Sequence, residues 1–229
     1  MTTGGAGSGS ARDAPGPDAQ PGTVRGLYAL KPWYTRRLGA VLRAAVRHGV
    51  SPDVFTLLGV LAAAAAAVAI ALGWWVPALL LLAARLAGAN LDGAVARARG
   101  LSRPWGFVLN ELGDRVGDLL MFGGLAVLAV REPATLLVAG PLTGSAWVLL
   151  AALAATAPTF ASLAAAGAGG RRLNGGPFGK TERCAAVVVA TALPAWIPVV
   201  AALVVVGSLL TAALRLARTR TDLAAGGPG

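Results

Sequence analysis

A chain of 229 residues that is 56% hydrophobic and only 13% charged lacks the polar surface to cover a water-soluble globule of its size, which excludes a soluble enzyme or binding domain and indicates an integral membrane protein. Its formal charge of +10 comes without a basic, aromatic-bearing soluble domain, so it reads as a topology signal and an attraction to anionic lipid headgroups, with no nucleic-acid partner expected. One cysteine, Cys184, excludes an internal disulfide and a cysteine-built zinc site; it is expected to pack as a small apolar residue, and the single His48 to lie on a surface helix.

In chain order, residues 1–22 are rich in Gly, Ser, Pro and Asp, lack an apolar signal segment, and are expected to form a disordered cytoplasmic tail. Within residues 23–50, Trp33, Leu38, Val41, Leu42 and Val46 alternate with Arg36, Arg37, Arg43 and Arg47, the pattern of an amphipathic juxtamembrane helix lying at the membrane surface. Residues 51–218 hold six apolar runs, at 54–72, 74–90, 107–130, 134–157, 184–194 and 196–214, most of them long enough as helix to cross about 30 Å of hydrocarbon. The split between the last two rests on Pro194 and Pro198, which flank Ala195, Trp196 and Ile197 and disfavour an unbroken helix. Residues 219–229 are expected to be a disordered tail.

Four basic clusters alternate with nearly uncharged turns: Arg36 to Arg47, Arg97 to Arg103, Arg171 to Arg183, and Arg215 to Arg220. The excess of Lys and Arg on cytoplasmic loops places them all on one side, with both termini cytoplasmic and the protein a multi-pass component of the cell membrane. The predicted class is therefore an all-α integral membrane bundle of six transmembrane helices behind an amphipathic juxtamembrane helix. Small residues, most densely Ala62 to Ala67 and Ala151 to Ala155, permit close helix packing and favour a homodimer.

Chemistry is signalled by DGAVARARGLSRPWGFVLNELGD, residues 92–114, where acids, Arg and Asn interrupt apolar sequence. Ionisable groups at membrane depth cost about 2.5 to 3.5 kcal/mol each even on lenient scales, so such a cluster marks a functional site. Asn110, Asp114 and Asp118 recur every four residues along one helical face, and Asp92 on the preceding span can meet them. Carboxylate and amide oxygens suit Mg²⁺ or Mn²⁺, and such an ion neutralises charge in phosphoryl transfer. The same stripe also permits a purely structural network in which Asp92 or Asp114 pairs with Arg97 or Arg115.

Asp92-Gly93, Ala96-Arg97, eight residues to Gly106, then positions 110 and 114 reproduce the frame of DxxDGxxARx(8)GxxxDxxxD without insertion. On these residues the chain resembles the CDP-alcohol phosphotransferase family, and SPDVFTLLG at 51–59 and GPFGKTER at 176–183 extend the resemblance to about residues 30–218. The resemblance implies transfer of a phosphatidyl (phosphoalcohol) group from a CDP-linked donor such as CDP-diacylglycerol to a small alcohol or phosphoalcohol acceptor, with release of CMP, in phospholipid synthesis. Carried over position by position, it makes Asp92 and Asp114 metal ligands with Asn110, Asp114 also the general base, and Gly93 and Arg97 contacts to the CDP moiety. Gly106 holds the frame's second glycine position, and Asp53 and Thr56 are further candidates for donor contacts. Lys180 and Arg183 are placed to reach an acceptor phosphate, as is Arg215, or serve only as positive-inside charges.

Two acids of the frame are replaced: Ala89 stands where its first Asp falls and Asn110 where its third falls. This implies a single or weak metal site and opens a second expectation, a catalytically impaired relative that binds lipid or nucleotide as a membrane partner. Asp118 is read as pairing with arginine behind the site. A transporter is disfavoured, because no repeat relates the halves and the polar stripe gathers near one face.

Overall fold

The computed structural model describes residues 36–132 and 142–225, and the expected N-terminal tail lies outside the described residues, as does the first part of the juxtamembrane segment. Within them the chain forms helices α1 Gly39–Arg47, α2 Pro52–Ala71, α3 Trp75–Ala98, α4 Pro104–Arg131, α5 Gly144–Ala154, α6 Ala157–Gly167, α7 Lys180–Ala192 and α8 Ile197–Ala224. The expected break between the last two apolar runs is a 3₁₀ turn, Pro194–Trp196.

α2 is the hub, packing along both α3 and α4. It starts where Ser51 accepts a hydrogen bond from the Asp53 amide at 3.4 Å and Pro52 occupies the first turn, and its Ala-rich body lets neighbours approach. On α3, Gly88 lies so close to α2 that a Cβ there would stand 2.7 Å from the Phe55 carbonyl oxygen. A short connection, residues 99–103, turns α3 back into α4, so the two run antiparallel. The amphipathic α1 buries Ala45, and Leu38 and Leu42 pack on Phe55, Leu91 and Val95, which docks it across the start of α2 and the end of α3. His48 caps its end, exposed.

A second apolar layer, with Met121, Phe122 and Leu125 of α4, Val148 and Ala151 of α5, Cys184 and Val187 of α7 and Ala201 and Val204 of α8, closes the bundle core. Outside it, Leu57, Leu80, Leu119, Leu153 and Val206 remain exposed, as a lipid-facing surface requires.

Among the described residues four helical segments are long and apolar enough to cross a membrane: Pro52–Ala71, Trp75–Ala98, Gly144–Gly167 and Pro194–Ala224. The other two expected spans differ for physical reasons. α4 has 28 residues, but Glu111, Asp114, Arg115 and Asp118 crowd its first half, whereas α7 has only 13 and reaches about 20 Å. Of the fourth apolar run, expected at 134–157, residues 134–141 lie outside the described residues, and the described part is a helical span, Gly144–Gly167, that extends past 157. Thr143 accepts from the Ala146 amide at 3.2 Å and so sets the start, while the Ala-rich stretch after Pro158 continues the helix beyond a break at Ala155 and Thr156. Likewise α8 runs on to Ala224, past the boundary expected at 218, because Arg218, Arg220 and Leu223 are good helix formers without a Gly or Pro to stop them.

Candidate active site

Both ends of the α3–α4 turn, the start of α2, the first half of α6, the start of α7 and the latter half of α8 converge on a cleft of about 440 Å³. Asp53, Thr56, Asp92, Gly93, Arg97, Gly106, Asn110, Asp114, Lys180 and Arg183, scattered over α2, α3, α4 and α7, all line it. Ala89 faces the same space, so both positions where the frame's acids are replaced open on the cleft.

Asp92 is buried at 5% exposure near the end of α3. Its Oδ2 accepts from Thr56 Oγ1 at 3.0 Å and from Asn110 Nδ2 at 2.7 Å, and its Oδ1 from the Gly93 amide at 2.5 Å. Three helices thus fix one carboxylate. Gly93 leaves room for the Arg97 guanidinium, which would stand 3.2 Å from a Cβ at that position. One helical turn beyond Asn110, the Asp114 carboxylate receives the ammonium of Lys180 from the first turn of α7. At the mouth Asp53 pairs with Arg103 through exposed side chains, and Gly106 lies against the aliphatic part of Arg103.

The alternative pairing of Asp92 or Asp114 with Arg97 or Arg115 is not what forms. Arg115 instead joins Asp118, at 3.1 Å, together with Arg85 at 2.6 Å and Arg183 at 2.9 Å. Asp118 is 4% exposed and lies one turn deeper than Asp114, beneath the cleft, in keeping with its reading as an arginine partner. Arg85 is the residue that sequence reasoning missed: a lone arginine inside an apolar span, whose burial cost was itself the available signal. Glu111 was missed as well. It pairs with Arg172, whose guanidinium also stacks 4.6 Å from the centre of the Phe107 ring and covers one wall.

Several cations are held by backbone carbonyls. Arg115 Nη1 donates to Ala155 at 3.2 Å, at the break between α5 and α6, and Arg215 donates to Gly175 at 2.9 Å and Pro158 at 2.6 Å. Cys184 is buried as expected and also accepts from Arg85 Nη1 at 3.3 Å.

Among the described residues no three His, Cys, Asp or Glu side chains gather as a metal cage. Of the carboxylates that line the cleft, Asp53 and Glu111 are paired with Arg103 and Arg172, which leaves Asp92 and Asp114, close enough to feel each other's charge, with the Asn110 amide as the central donor set. Mg²⁺ is commonly bound through one or two carboxylates with water and substrate phosphate oxygens completing the shell, so this set fits one hard dication.

The model of the CDP-alcohol phosphatidyltransferase family matches residues 49–222, most of the chain. The chain belongs to this family. Among family relatives, a phosphatidylinositol phosphate synthase of Mycolicibacterium smegmatis is 36% identical over 95 residues, which are 40% of this chain and 42% of the relative's length, so the matched stretch spans less than half of that enzyme. An uncharacterized protein of Aquifex aeolicus is 28% identical over 194 residues, 85% of this chain and 94% of its own. The fold matches the crystal structure of the Mycobacterium tuberculosis phosphatidylinositol phosphate synthase with CDP-DAG bound, with a TM-score of 0.65 and 26% identity over 80% of this chain and 94% of that one. The same synthase in complex with manganese and citrate matches with a TM-score of 0.65 over 80% and 88% of the two chains, at 26% identity.

Proposed function

We propose that this family member transfers the phosphatidyl group of CDP-diacylglycerol to a small alcohol or phosphoalcohol, releasing CMP, at the cytoplasmic face of the cell membrane. The observation that carries the reading is the meeting of Asp92, Gly93 and Arg97 on α3 with Asn110 and Asp114 on α4 in one cleft beside Lys180 and Arg183. CDP-DAG bound to the structurally similar mycobacterial synthase supports the choice of donor.

In this mechanism Gly93 lets the nucleotide approach the α3 backbone, and Arg97 binds the pyrophosphate through its planar fork. Thr56 and Asn110 hold Asp92 in place, Asp53 and Gly106 border the donor, and Lys180 orients the Asp114 carboxylate. Asp114 accepts the proton of the acceptor hydroxyl as its oxygen attacks the phosphorus that carries diacylglycerol, the bond to the bridging oxygen breaks, and CMP leaves. A Mg²⁺ or Mn²⁺ ion held by Asp92 and Asp114, with the Asn110 oxygen, supplies charge neutralisation at the pyrophosphate when bound. Manganese in the similar mycobacterial structure supports this ion. Lys180, Arg183 and Arg215 together form a cationic wall suited to an acceptor bearing phosphate.

Convergence of Arg97, Arg103, Arg172, Lys180, Arg183 and Arg215 on one cleft supports placing these basic clusters on the cytoplasmic side, with both termini there, and the small-residue spans support the pairing of two copies as a homodimer. Protease or label accessibility in oriented vesicles checks the first, and native mass in detergent the second.

Ala89 and Asn110 favour one second reading, a relative that binds donor without turning it over. Purified protein in lipid, supplied with CDP-diacylglycerol, Mg²⁺ or Mn²⁺ and a panel of acceptors, separates the two. Metal-dependent CMP release abolished by Asp114→Asn supports the transferase, and donor binding without CMP from any acceptor supports the second reading.

A further inference from the structure

The carboxylates at the heart of the cleft sit on different helices, Asp92 on α3 and Asp114 on α4, and those helices share few direct contacts because each packs mainly on α2. Their separation therefore depends on what crosses the gap. Among the side-chain links that do so are Asn110 to Asp92 at the cleft and Arg85 to Asp118 beneath it. On an antiparallel pair these links are in register, since Arg85 lies seven residues before Asp92 and Asp118 eight residues after Asn110. They stand about two helical turns apart, roughly 10 Å, and bracket Asp114.

The lower link is built with care for shape. Arg85 is 2% exposed, and its Nη2 donates both to Asp118 Oδ1 at 2.6 Å and to the backbone carbonyl of Asp114 itself at 3.0 Å. Its Nη1 reaches Cys184 on α7 at 3.3 Å. The guanidinium occupies a notch in α4 made by Gly117, where a Cβ would collide with Arg85 Nε and lie 3.0 Å from Cζ. From the other side Arg183 holds Asp118 Oδ2 at 2.9 Å while Lys180, three residues earlier on α7, holds Asp114. A planar fork holds its donors in one fixed arrangement, whereas the three donors of an ammonium turn on a flexible stem and an apolar side chain has none. Arg85 does not line the cleft and so touches no substrate.

We propose that Arg85 is a positioning residue, a strut from α3 into the Gly117 notch of α4 that sets the distance between the Asp92 and Asp114 carboxylates. The proposal rests on the transferase reading for its consequence in turnover, but its structural content is independent of that reading.

The test uses the full chain in nanodiscs with Arg85→Met, Arg85→Lys and Gly117→Ala, the last crowding the guanidinium while leaving every charge in place. Nitroxides at Ala98→Cys on α3 and Leu112→Cys on α4, both exposed in a background where Cys184 is buried, report the interhelical distance by pulsed electron resonance. Displacing reacting groups by about 1 Å can cost 100-fold in rate, so turnover should fall about 100-fold in Arg85→Met and Gly117→Ala with the donor KM changed less than threefold. Arg85→Lys should recover no more than about a tenth of the wild-type rate, because it restores the charge without the fork. The 98 to 112 distance distribution should shift or broaden in the same variants. Turnover kept within threefold in Arg85→Met, unaltered distances, or equal loss of donor binding and turnover would each overturn the strut. A wild-type chain that turns over no acceptor overturns the transferase reading alone, and the distance comparison then decides the strut.

Discussion

Replacing Asp118 by asparagine keeps the side-chain shape and removes one charge from a place where Arg85, Arg183 and Arg115 approach at 2.6, 2.9 and 3.1 Å. The acid is 4% exposed, Arg85 2% and Arg183 3%, so water cannot substitute for the lost partner. Breaking a buried ion pair from one side costs about 3 to 5 kcal/mol, mostly because a charge is left buried without compensation. The three contacts share one carboxylate and do not add, so the whole loss is taken as about 4 kcal/mol. For a domain of 150 to 250 residues each kcal/mol moves Tm by about 2 to 4 °C, giving a fall on the order of 10 °C. The assay is thermal unfolding of purified protein in a mild detergent, followed by loss of the monodisperse peak on size exclusion. Asp53→Asn is the internal control, since its pair with Arg103 is exposed and an exposed pair contributes about 0 to 1 kcal/mol. A Tm for Asp118→Asn within about 2 °C of wild type, or a fall no larger than that of Asp53→Asn, would refute the assignment of Asp118 as the anchor of the arginine cluster.

Three further outcomes follow from the geometry. Asn110→Asp places a second negative charge against Asp92 Oδ2, so the variant should be less stable without metal and bind Mn²⁺ about tenfold or more tightly than wild type, measured by electron resonance titration; equal affinity would show that position 110 does not face the ion. Gly88→Ala brings a methyl to 2.7 Å from the Phe55 carbonyl oxygen and should cost about 1 to 3 kcal/mol by overpacking, read as a lowered Tm, whereas Gly123→Ala, where a Cβ meets nothing within 4 Å, should leave it unchanged. Cys184 is 3% exposed, so a maleimide should label it only after denaturation, and rapid labelling of native protein would contradict the packing of α7.

The frame of Asp92, Arg97, Gly106, position 110 and Asp114 was legible because helical spacing is local: i and i+4 lie on one face whatever surrounds them. That α2 and α7 bring Thr56 and Lys180 to the same frame followed from the resemblance and from polar residues at the ends of apolar runs. Arg85 and Glu111 escaped because their meaning is set by partners far along the chain, Asp118 and Arg172, and nothing in a linear pattern says which residues an antiparallel turn will oppose. The fourth span, which runs past 157 to Gly167, shows a second limit. Hydropathy places an apolar run but not its ends, which are decided by a Thr143 cap and a tolerated break before Pro158.

That break between α5 and α6 has an electrostatic yield. The helix breaks at Ala155 and Thr156, and the Thr159 amide, which would meet the Ala155 carbonyl in a continuous helix, bonds Thr156 instead, so the Ala155 oxygen is left open. Ala155 and Pro158 present theirs to Arg115 and Arg215. A carbonyl orients a guanidinium through its dipole without adding a negative charge, so these contacts fix the cleft wall in place, Arg115 being held by Asp118 as well, and do not themselves lower its positive charge. An anionic headgroup arriving along the bilayer plane meets a field already in place, and its capture rate should therefore weaken as added salt shortens the range of that field.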